Sequence, residues 1–168
     1  TDRMEIERKW MVDGWPKLGF PVVKDETMRQ GYLHADAPVV RIREEKIKGG
    51  EASFVLCFKS GGKLARKEIE LLIEKEKFEE LEELTGYPLI EKERITYLLP
   101  DGHHLEVNHV DKGLKTEFWY AEIEFSSVDE AIFWKADGAL GEYLGEDVTR
   151  QEGSSMADYW TQTRLGSD

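Results

Sequence analysis

Acidic and basic residues alternate with other residues near the start of the chain, in the stretch MEIERKW at residues 4–10. In an extended strand Glu5, Glu7 and Lys9 share one face, because successive side chains point to opposite sides. Paired carboxylates can bind a hard divalent cation, and an ammonium group can bind an anion. The stretch is therefore a candidate for a site that holds both.

Charged residues recur on one face of six later segments that read as strands. The bases on these faces are Arg41, Arg43, Lys59, Arg66, Lys92 and Arg94, and the acids are Glu68, Glu70, Glu106, Glu122 and Glu124. Together with the opening strand, these faces carry seven bases and seven acids, although the chain has a net charge of −12. This balance indicates that the charges are arranged for one another.

Three predicted helices limit where the charged faces can point. They are EKFEELEELTG, which ends at Gly86, a segment from a Ser127–Glu130 capping box to Gly145, and a last helix capped by Ser155. The first carries the apolar stripe Phe78, Leu81 and Leu84, and the apolar face of the second includes Ile132 and Phe133.

A half-buried sheet with a wet charged face would explain any one of these strands. The strands taken together favour another arrangement, in which the helices cover their apolar faces and the charged faces point inward. We therefore predict an α+β fold, an eight-stranded antiparallel β-barrel that forms a tunnel with a charged lumen and is flanked by a few helices.

A lumen of this kind has a chemical use. Arginine and lysine side chains can grip a multiply charged anion, and guanidinium groups bind phosphate oxygens in pairs. Clustered carboxylates would repel that anion unless Mg²⁺ or Mn²⁺ lay between them, since these ions take carboxylate and phosphate oxygens together. Acids and bases in one lumen therefore predict a metal ion and a polyphosphate.

The order of these residues resembles that of the CYTH domain, or triphosphate tunnel metalloenzyme, superfamily. Glu5-x-Glu7-x-Lys9 is similar to its ExExK signature. The likeness covers nearly the whole chain, because Arg41-x-Arg43, Lys59, Arg66-x-Glu68-x-Glu70, Lys92-x-Arg94 and Glu122-x-Glu124 follow in the family's order. It implies an eight-stranded tunnel and a metal-dependent hydrolase or cyclase that acts on triphosphates.

The resemblance also implies roles for individual residues. It assigns triphosphate binding to Lys9, Arg41, Arg43, Lys59, Lys92 and Arg94, with Arg66 as a weaker candidate. It assigns the metal and the orientation of the attacking water to Glu5, Glu7, Glu122 and Glu124, with Glu68, Glu70 and Glu106 as further acidic ligands. Catalytic roles fall to Glu5, Glu7 and Lys9, with Tyr32 in support.

One position departs from the family pattern. Many members carry an aspartate two residues after the glutamate of the late strand, where this chain has Asn108. An amide can coordinate through its carbonyl oxygen but brings no charge, so a second metal ion is not expected from this position.

Three functions fit these residues. The first is hydrolysis of inorganic tripolyphosphate, favoured because the short chain leaves little sequence for a base-recognition pocket. The second keeps the fold for a thiamine triphosphatase or a class IV-type adenylate cyclase, the latter needing adenine contacts. The third is a non-catalytic polyphosphate-binding module, which the retained acid pairs disfavour.

Composition sets the remaining expectations. A chain of 168 residues with 40% hydrophobic residues predicts a single domain, residues 1–168. Its net charge disfavours nucleic acid and anionic membranes as partners, and no membrane span or secretory signal is visible. Cys57 is the single cysteine, which suits a reducing cytoplasm. We expect a cytoplasmic monomer or homodimer whose partner is a small-molecule triphosphate.

Overall fold

The chain forms a closed barrel of eight antiparallel strands, as the sequence predicts. The structure is a computed structural model, and it describes residues 2–149 and 151–166. The strands are β1 (Asp2–Met11), β2 (Val22–His34), β3 (Val39–Ile47), β4 (Ala52–Lys59), β5 (Ala65–Ile73), β6 (Ile90–Leu98), β7 (His104–Val110) and β8 (Phe118–Glu124). The helices are α1 (Lys75–Thr85), α2 (Val128–Phe133), α3 (Gly138–Tyr143) and α4 (Met156–Trp160), and α4 continues as one π-helical segment, Thr161–Leu165.

Strand β1 closes the barrel, because it pairs with two strands that are distant in sequence. The order around the barrel is β1-β5-β4-β3-β2-β6-β7-β8. The first part of β1 pairs with β5, where Glu5 lies opposite Arg66, and its second part pairs with β8, where Glu7 lies opposite Glu124. The acidic face of β1 therefore meets charged residues on both neighbouring strands.

Strand β2 is the element that the charge pattern does not indicate. It has 13 residues and pairs with β3 and β6 along most of its length. Its residues Met28, Gln30 and Tyr32 are uncharged where the other strands carry acids or bases, so alternation of charge is weak there. The strand lies between β3 and β6, which carry the basic pairs Arg41 with Arg43 and Lys92 with Arg94.

The apolar faces of the strands point outward and are covered by the helices and loops. One core cluster surrounds Trp10 and Leu105, and Trp134 packs against it. The other contains Phe78 of α1 together with Tyr159 and Trp160 of the C-terminal segment. In the described part of the chain, no helix is long and apolar enough to cross a membrane.

The predicted helix from Ser127 to Gly145 is wrong in its extent. Ser127 caps a helix through the backbone N–H of Glu130, as expected, but α2 ends at Phe133 and a separate α3 begins at Gly138. Trp134 adopts an extended backbone, and its indole N–H donates to Asp101 Oδ2 at 2.9 Å. Trp134 therefore lies outside both helices, with its side chain packed against the core.

The predicted apolar faces of two helices are also partly wrong. Ile132 and Phe133 are exposed, and Ala131 is the residue that α2 buries. In α1 Phe78 is buried and Leu81 half-buried, but Leu84 is 73% exposed near the Gly86 C-cap. A stripe of correct spacing is thus buried only where the helix touches the barrel.

A buried ion pair holds the C-terminal segment against the barrel. Arg164 Nη1 donates to Asp111 Oδ2 at 2.8 Å, and the Tyr159 hydroxyl donates to the same carboxylate oxygen at 2.6 Å. Ser155 begins α4 with a complete capping box to Asp158, which confirms the predicted cap. These contacts place Ser154–Asp158 along the wall of the lumen.

Candidate active site

The barrel encloses a cavity of about 480 Å³, and every site residue that the sequence predicts lines it. These residues are Glu5, Glu7, Lys9, Tyr32, Arg41, Arg43, Lys59, Arg66, Glu68, Glu70, Lys92, Arg94, Glu106, Glu122 and Glu124. They come from all eight strands because the side chains on one face of every strand point into the lumen. Their roles in catalysis or binding remain predictions.

Two groups of opposite charge face each other across the lumen. The acidic wall is formed by Glu5 and Glu7 of β1 with Glu122 and Glu124 of β8. The basic wall is formed by Arg41 and Arg43 of β3 with Lys92 and Arg94 of β6. Strand β2 lies between β3 and β6, and three strands separate it from β1 in either direction around the barrel. The cavity can therefore bind a cation on one side and an anion on the other.

Strand register brings the carboxylates of the acidic wall together. Glu7 lies opposite Glu124, and Glu122 lies beside both Lys9 of β1 and Glu106 of β7. Burial, with Glu122 and Glu5 nearby, raises the pKa of Glu7 well above its usual value. Burial would also raise the pKa of Glu122, but Lys9 and the nearby bases lower it instead. The two carboxyl groups thus differ in their affinity for a proton.

This donor set fits a hard divalent cation. Neighbouring carboxylates make a buried carboxyl group keep its proton. A divalent cation can replace that proton and stabilise the cluster by neutralising its charge. Several carboxylate oxygens in one cluster are the kind of ligand set that binds Mg²⁺ or Mn²⁺. The acidic wall is therefore chemically suited to the ion that the sequence predicts.

Two cations lie beside the acidic wall and hold Glu5 ionised. Lys59 Nζ donates to Glu5 Oε1 at 2.9 Å, and Arg66 Nη2 lies 3.5 Å from the same oxygen and 3.7 Å from Glu7 Oε1. Burial alone would raise the pKa of Glu5, but Lys59, Arg66 and Arg41 lower it to about 2. Glu5 and Glu7 therefore stand in opposite protonation environments on one strand.

Like charges crowd the basic wall. Burial, followed by the nearby guanidinium groups of Arg94 and Arg43, lowers the pKa of Lys92 well below its usual value. Burial and the guanidinium groups of Arg41 and Arg94 lower the pKa of Arg43 in the same direction. The Nε atoms of Arg41 and Arg43 are buried and have no hydrogen-bond partner among the described residues. These N–H groups can therefore donate hydrogen bonds to the oxygens of a bound phosphate.

The side-chain oxygen of Asn108 is hydrogen-bonded to an arginine and is not directed at the acidic wall. Its carbonyl oxygen accepts a hydrogen bond from Arg94 Nε at 2.8 Å, and the residue is fully buried. Arg94 Nη1 lies 3.6 Å from Glu106 Oε1. The amide therefore orients the guanidinium group of the basic wall.

Glu68 and Glu70 of β5 lie next to Cys57, and Glu68 shares Lys59 with Glu5 of β1. One ligand atom from each of the three residues lies within 4.8 Å of the others. Lys59 Nζ is 3.8 Å from Glu68 Oε2, and Arg41 Nη2 is 3.8 Å from Glu70 Oε2. These two acids therefore orient bases of the lumen, whatever part they take in metal binding.

Sequence reasoning missed two buried residues of the lumen, Gln30 and Tyr120. Gln30 Nε2 donates to the hydroxyl of Tyr32 at 2.9 Å, while its Oε1 has no partner in the part of the chain that the structure describes. The ring of Tyr120 lies next to Lys9, whose Nζ is 4.4 Å from the ring centre. Because neither Gln30 nor Tyr120 is charged, the sequence could have indicated them through their positions on the lumen faces of β2 and β8 alone.

Comparison with known proteins gives one close match in sequence. The inorganic triphosphatase of Nitrosomonas europaea is 32% identical over 143 residues, which cover 85% of this chain and 90% of that protein. No family model matches the chain.

Solved structures show the same fold. The crystal structure of the inorganic triphosphatase NE1496 matches with a TM-score of 0.60 and 28% identity, over 92% of this chain and 93% of that chain. The PH1819 protein of Pyrococcus horikoshii OT3 matches with a TM-score of 0.56 over 76% of this chain and 82% of its own. Its identity is 22%, so this second likeness concerns the fold alone.

Proposed function

Because the chain belongs to the inorganic triphosphatase family, we propose that its barrel hydrolyses inorganic triphosphate with the help of a divalent cation. The observation that carries the proposal is one closed cavity with an acidic wall opposite a basic wall. The ExExK pattern of β1 and the closed tunnel also support membership of the CYTH superfamily.

The basic wall binds the substrate in this proposal. Arg41, Arg43, Lys92 and Arg94 hold the phosphate oxygens, with Lys9, Lys59 and Arg66 completing the cationic lining. Guanidinium groups suit this task because they present paired donors at fixed geometry. The crowding of cations that lowers the pKa of Lys92 is relieved when a polyanion enters.

The acidic wall holds the cation. Glu5, Glu7, Glu122 and Glu124 would bind Mg²⁺ or Mn²⁺, with Glu68, Glu70 and Glu106 as further acidic ligands. When bound, the ion supplies positive charge to the phosphate oxygens and allows acids and substrate to share one cavity.

The chemical step is in-line attack of water on a terminal phosphorus atom. A new P–O bond forms to water while the bond to the leaving diphosphate breaks, giving phosphate and diphosphate. Carboxylates of the acidic wall orient the water, and Arg41, Arg43 and Arg94 stabilise the charge that develops on the equatorial and leaving oxygens. Positioning and electrostatics supply the catalysis, since phosphoryl transfer needs little covalent assistance.

The test compares phosphate release from tripolyphosphate, ATP and thiamine triphosphate with Mg²⁺, Mn²⁺ or EDTA. We expect metal-dependent release that is fastest with tripolyphosphate and stops in EDTA. Faster hydrolysis of thiamine triphosphate would reassign the substrate, and diphosphate with cyclic nucleotide from ATP would identify a cyclase. Tight binding of tripolyphosphate without any product would identify a non-catalytic binder.

A further inference from the structure

Tyr120 occupies a central place in the lumen. It lies on β8 two residues before Glu122, its side chain lines the cavity, and only 1% of its surface is exposed. Its neighbour across β7 is Asn108 and across β1 is Met11. Tyr120 and Tyr32 are the two tyrosines among the described residues that line the lumen, and Tyr120 is the one whose hydroxyl is hydrogen-bonded to a base.

The hydroxyl of Tyr120 contacts one lysine of the basic wall. Lys92 Nζ donates a hydrogen bond to Tyr120 Oη at 2.8 Å. The other charges that act on Lys92 come mainly from Arg94, Arg43 and Arg41, with Glu122 as the opposing acid. The hydroxyl is therefore a neutral acceptor that steadies the ammonium group without neutralising its charge.

The ring of Tyr120 contacts a second lysine. Lys9 Nζ lies 4.4 Å from the centre of the ring, and Lys92 Nζ lies 5.5 Å from it. An ammonium group over an aromatic face is attracted by the ring quadrupole. Lys9 also donates to the carbonyl oxygen of Ser154, which leads into α4. One side chain thus contacts lysines from two strands, β1 and β6, that do not pair with each other.

We propose that Tyr120 is a positioning residue that holds Lys9 and Lys92 as a pair of ammonium groups directed at the same end of the triphosphate. This inference rests on the proposed function. Lysine has a long side chain with many rotamers, so restraint before binding lowers the cost of ordering it on the substrate. Lys9 also lies beside Glu122 in the strand register, and the neutral ring competes with that carboxylate for the ammonium group.

The two contacts use different parts of Tyr120, so substitutions can separate them. Tyr120→Phe keeps the ring under Lys9 and removes the hydroxyl from Lys92. We expect KM for tripolyphosphate to rise about tenfold while kcat changes about twofold or less, as for loss of one hydrogen bond to a charged group. Tyr120→Leu removes both contacts, and we expect kcat/KM to fall about a hundredfold.

A double-mutant cycle tests whether the hydroxyl acts through Lys92. The variants are Tyr120→Phe, Lys92→Met and the two combined, measured by kcat and KM for tripolyphosphate and by calorimetric binding of tripolyphosphate in EDTA. If Tyr120 positions Lys92, Tyr120→Phe weakens binding in the wild-type background and adds little to Lys92→Met. A purely structural role would give the same loss in both backgrounds.

Tyr97→Phe is the matched control. Tyr97 is a buried tyrosine of β6 that belongs to the outer core around Trp10, so its hydroxyl does not line the lumen. We expect its kinetics to equal those of the wild type.

The outcomes separate the two proposals. Wild-type protein that neither hydrolyses nor binds tripolyphosphate overturns the proposed function and this inference with it. Active wild-type protein with unchanged KM in Tyr120→Phe, or with additive effects in the cycle, overturns this inference alone. Should Tyr120→Leu fail to fold, the isosteric Tyr120→Phe and the cycle still decide.

Discussion

The acidic wall and the basic wall of the lumen show the same physical problem with opposite signs. In the acidic wall, burial and neighbouring carboxylates raise the pKa of Glu7. In the basic wall, burial and neighbouring guanidinium groups lower the pKa values of Lys92 and Arg43. Each wall concentrates one sign of charge in a buried place, so each is incomplete without a ligand of the opposite sign.

The walls differ in which groups of the protein contact their buried charges. Lys59 and Arg66 reach the acidic wall and keep Glu5 ionised, whereas Lys92 of the basic wall has the neutral hydroxyl of Tyr120 as its hydrogen-bond partner. The acidic wall is thus partly neutralised by two bases. In the basic wall Arg94 and Arg41 also have acids nearby, Glu106 at 3.6 Å and Glu70 at 3.8 Å, whereas Lys92 is held by a neutral group. Substitutions in the two walls should consequently have different kinetic signatures.

The largest effect is expected from the acidic wall. Glu7→Gln keeps the shape of the side chain but cannot bind a divalent cation as a carboxylate does. We expect kcat for tripolyphosphate to fall about a thousandfold, with the fold unchanged by circular dichroism. Glu79→Gln, at an exposed position on α1, serves as the control and should behave as wild type. Near-normal turnover of Glu7→Gln would refute its assignment to the metal site.

A smaller effect with a different signature is expected from the basic wall. Arg41→Ala removes paired donors that contact the substrate both before and during reaction, so KM should rise and kcat should fall together. We expect kcat/KM to drop about a hundredfold. Arg29→Ala is a matched control, because Arg29 lies on the outer side of β2 and pairs with Glu44. A change in kcat alone would mean that Arg41 contributes little to substrate binding.

Tyr32 should matter less than either wall. Its hydroxyl accepts a hydrogen bond from Gln30, and this contact is the one that the described residues show for it. Tyr32→Phe is expected to lower kcat/KM about threefold, as for one neutral hydrogen bond. A hundredfold loss in steady-state assays would instead place the hydroxyl in direct contact with the reacting groups.

The smallest effect concerns stability and pH. A carboxyl group whose pKa is raised on folding stabilises the native state at pH values below its unfolded pKa, near 4.5, and this contribution is lost as pH rises through the folded pKa. The Tm of metal-free wild-type protein should therefore fall across that window relative to Glu7→Gln. Adding Mg²⁺ above the window should restore the Tm of the wild type and leave that of Glu7→Gln nearly unchanged. Parallel Tm curves without metal would contradict the raised pKa of Glu7.

Prediction from sequence succeeded for strands with alternating charge and failed where that signal was absent. β1, β3, β5, β6 and β8 each show acids or bases at two or more successive positions of one face, which a barrel with a charged lumen requires. β2 carries the neutral side chains Met28, Gln30 and Tyr32 in a row on this face, so its charge pattern does not indicate a strand. The Ser127–Gly145 segment is divided into α2 and α3 with Trp134 packed against the core between them, an interruption that helical periodicity does not describe.

The same limit applies to the site. The types of the charged residues were sufficient to predict which side chains share the lumen, because alternation along a strand determines the face of each residue. Tyr120 of β8 contacts Lys9 of β1 and Lys92 of β6, although these lysines are far from it in the sequence. No local sequence pattern predicts a contact between residues so far apart in the chain.

The sequence by itself determined the inward charge of the barrel and the kind of ligand it suits, since both follow from residue type and a period of two. Only the tertiary structure decided which charges oppose each other. The register at which β1 closes the barrel places Glu7 beside Glu124 and Lys9 beside Glu122. That register is set jointly by all eight strand pairings, so it exists only once the barrel has closed.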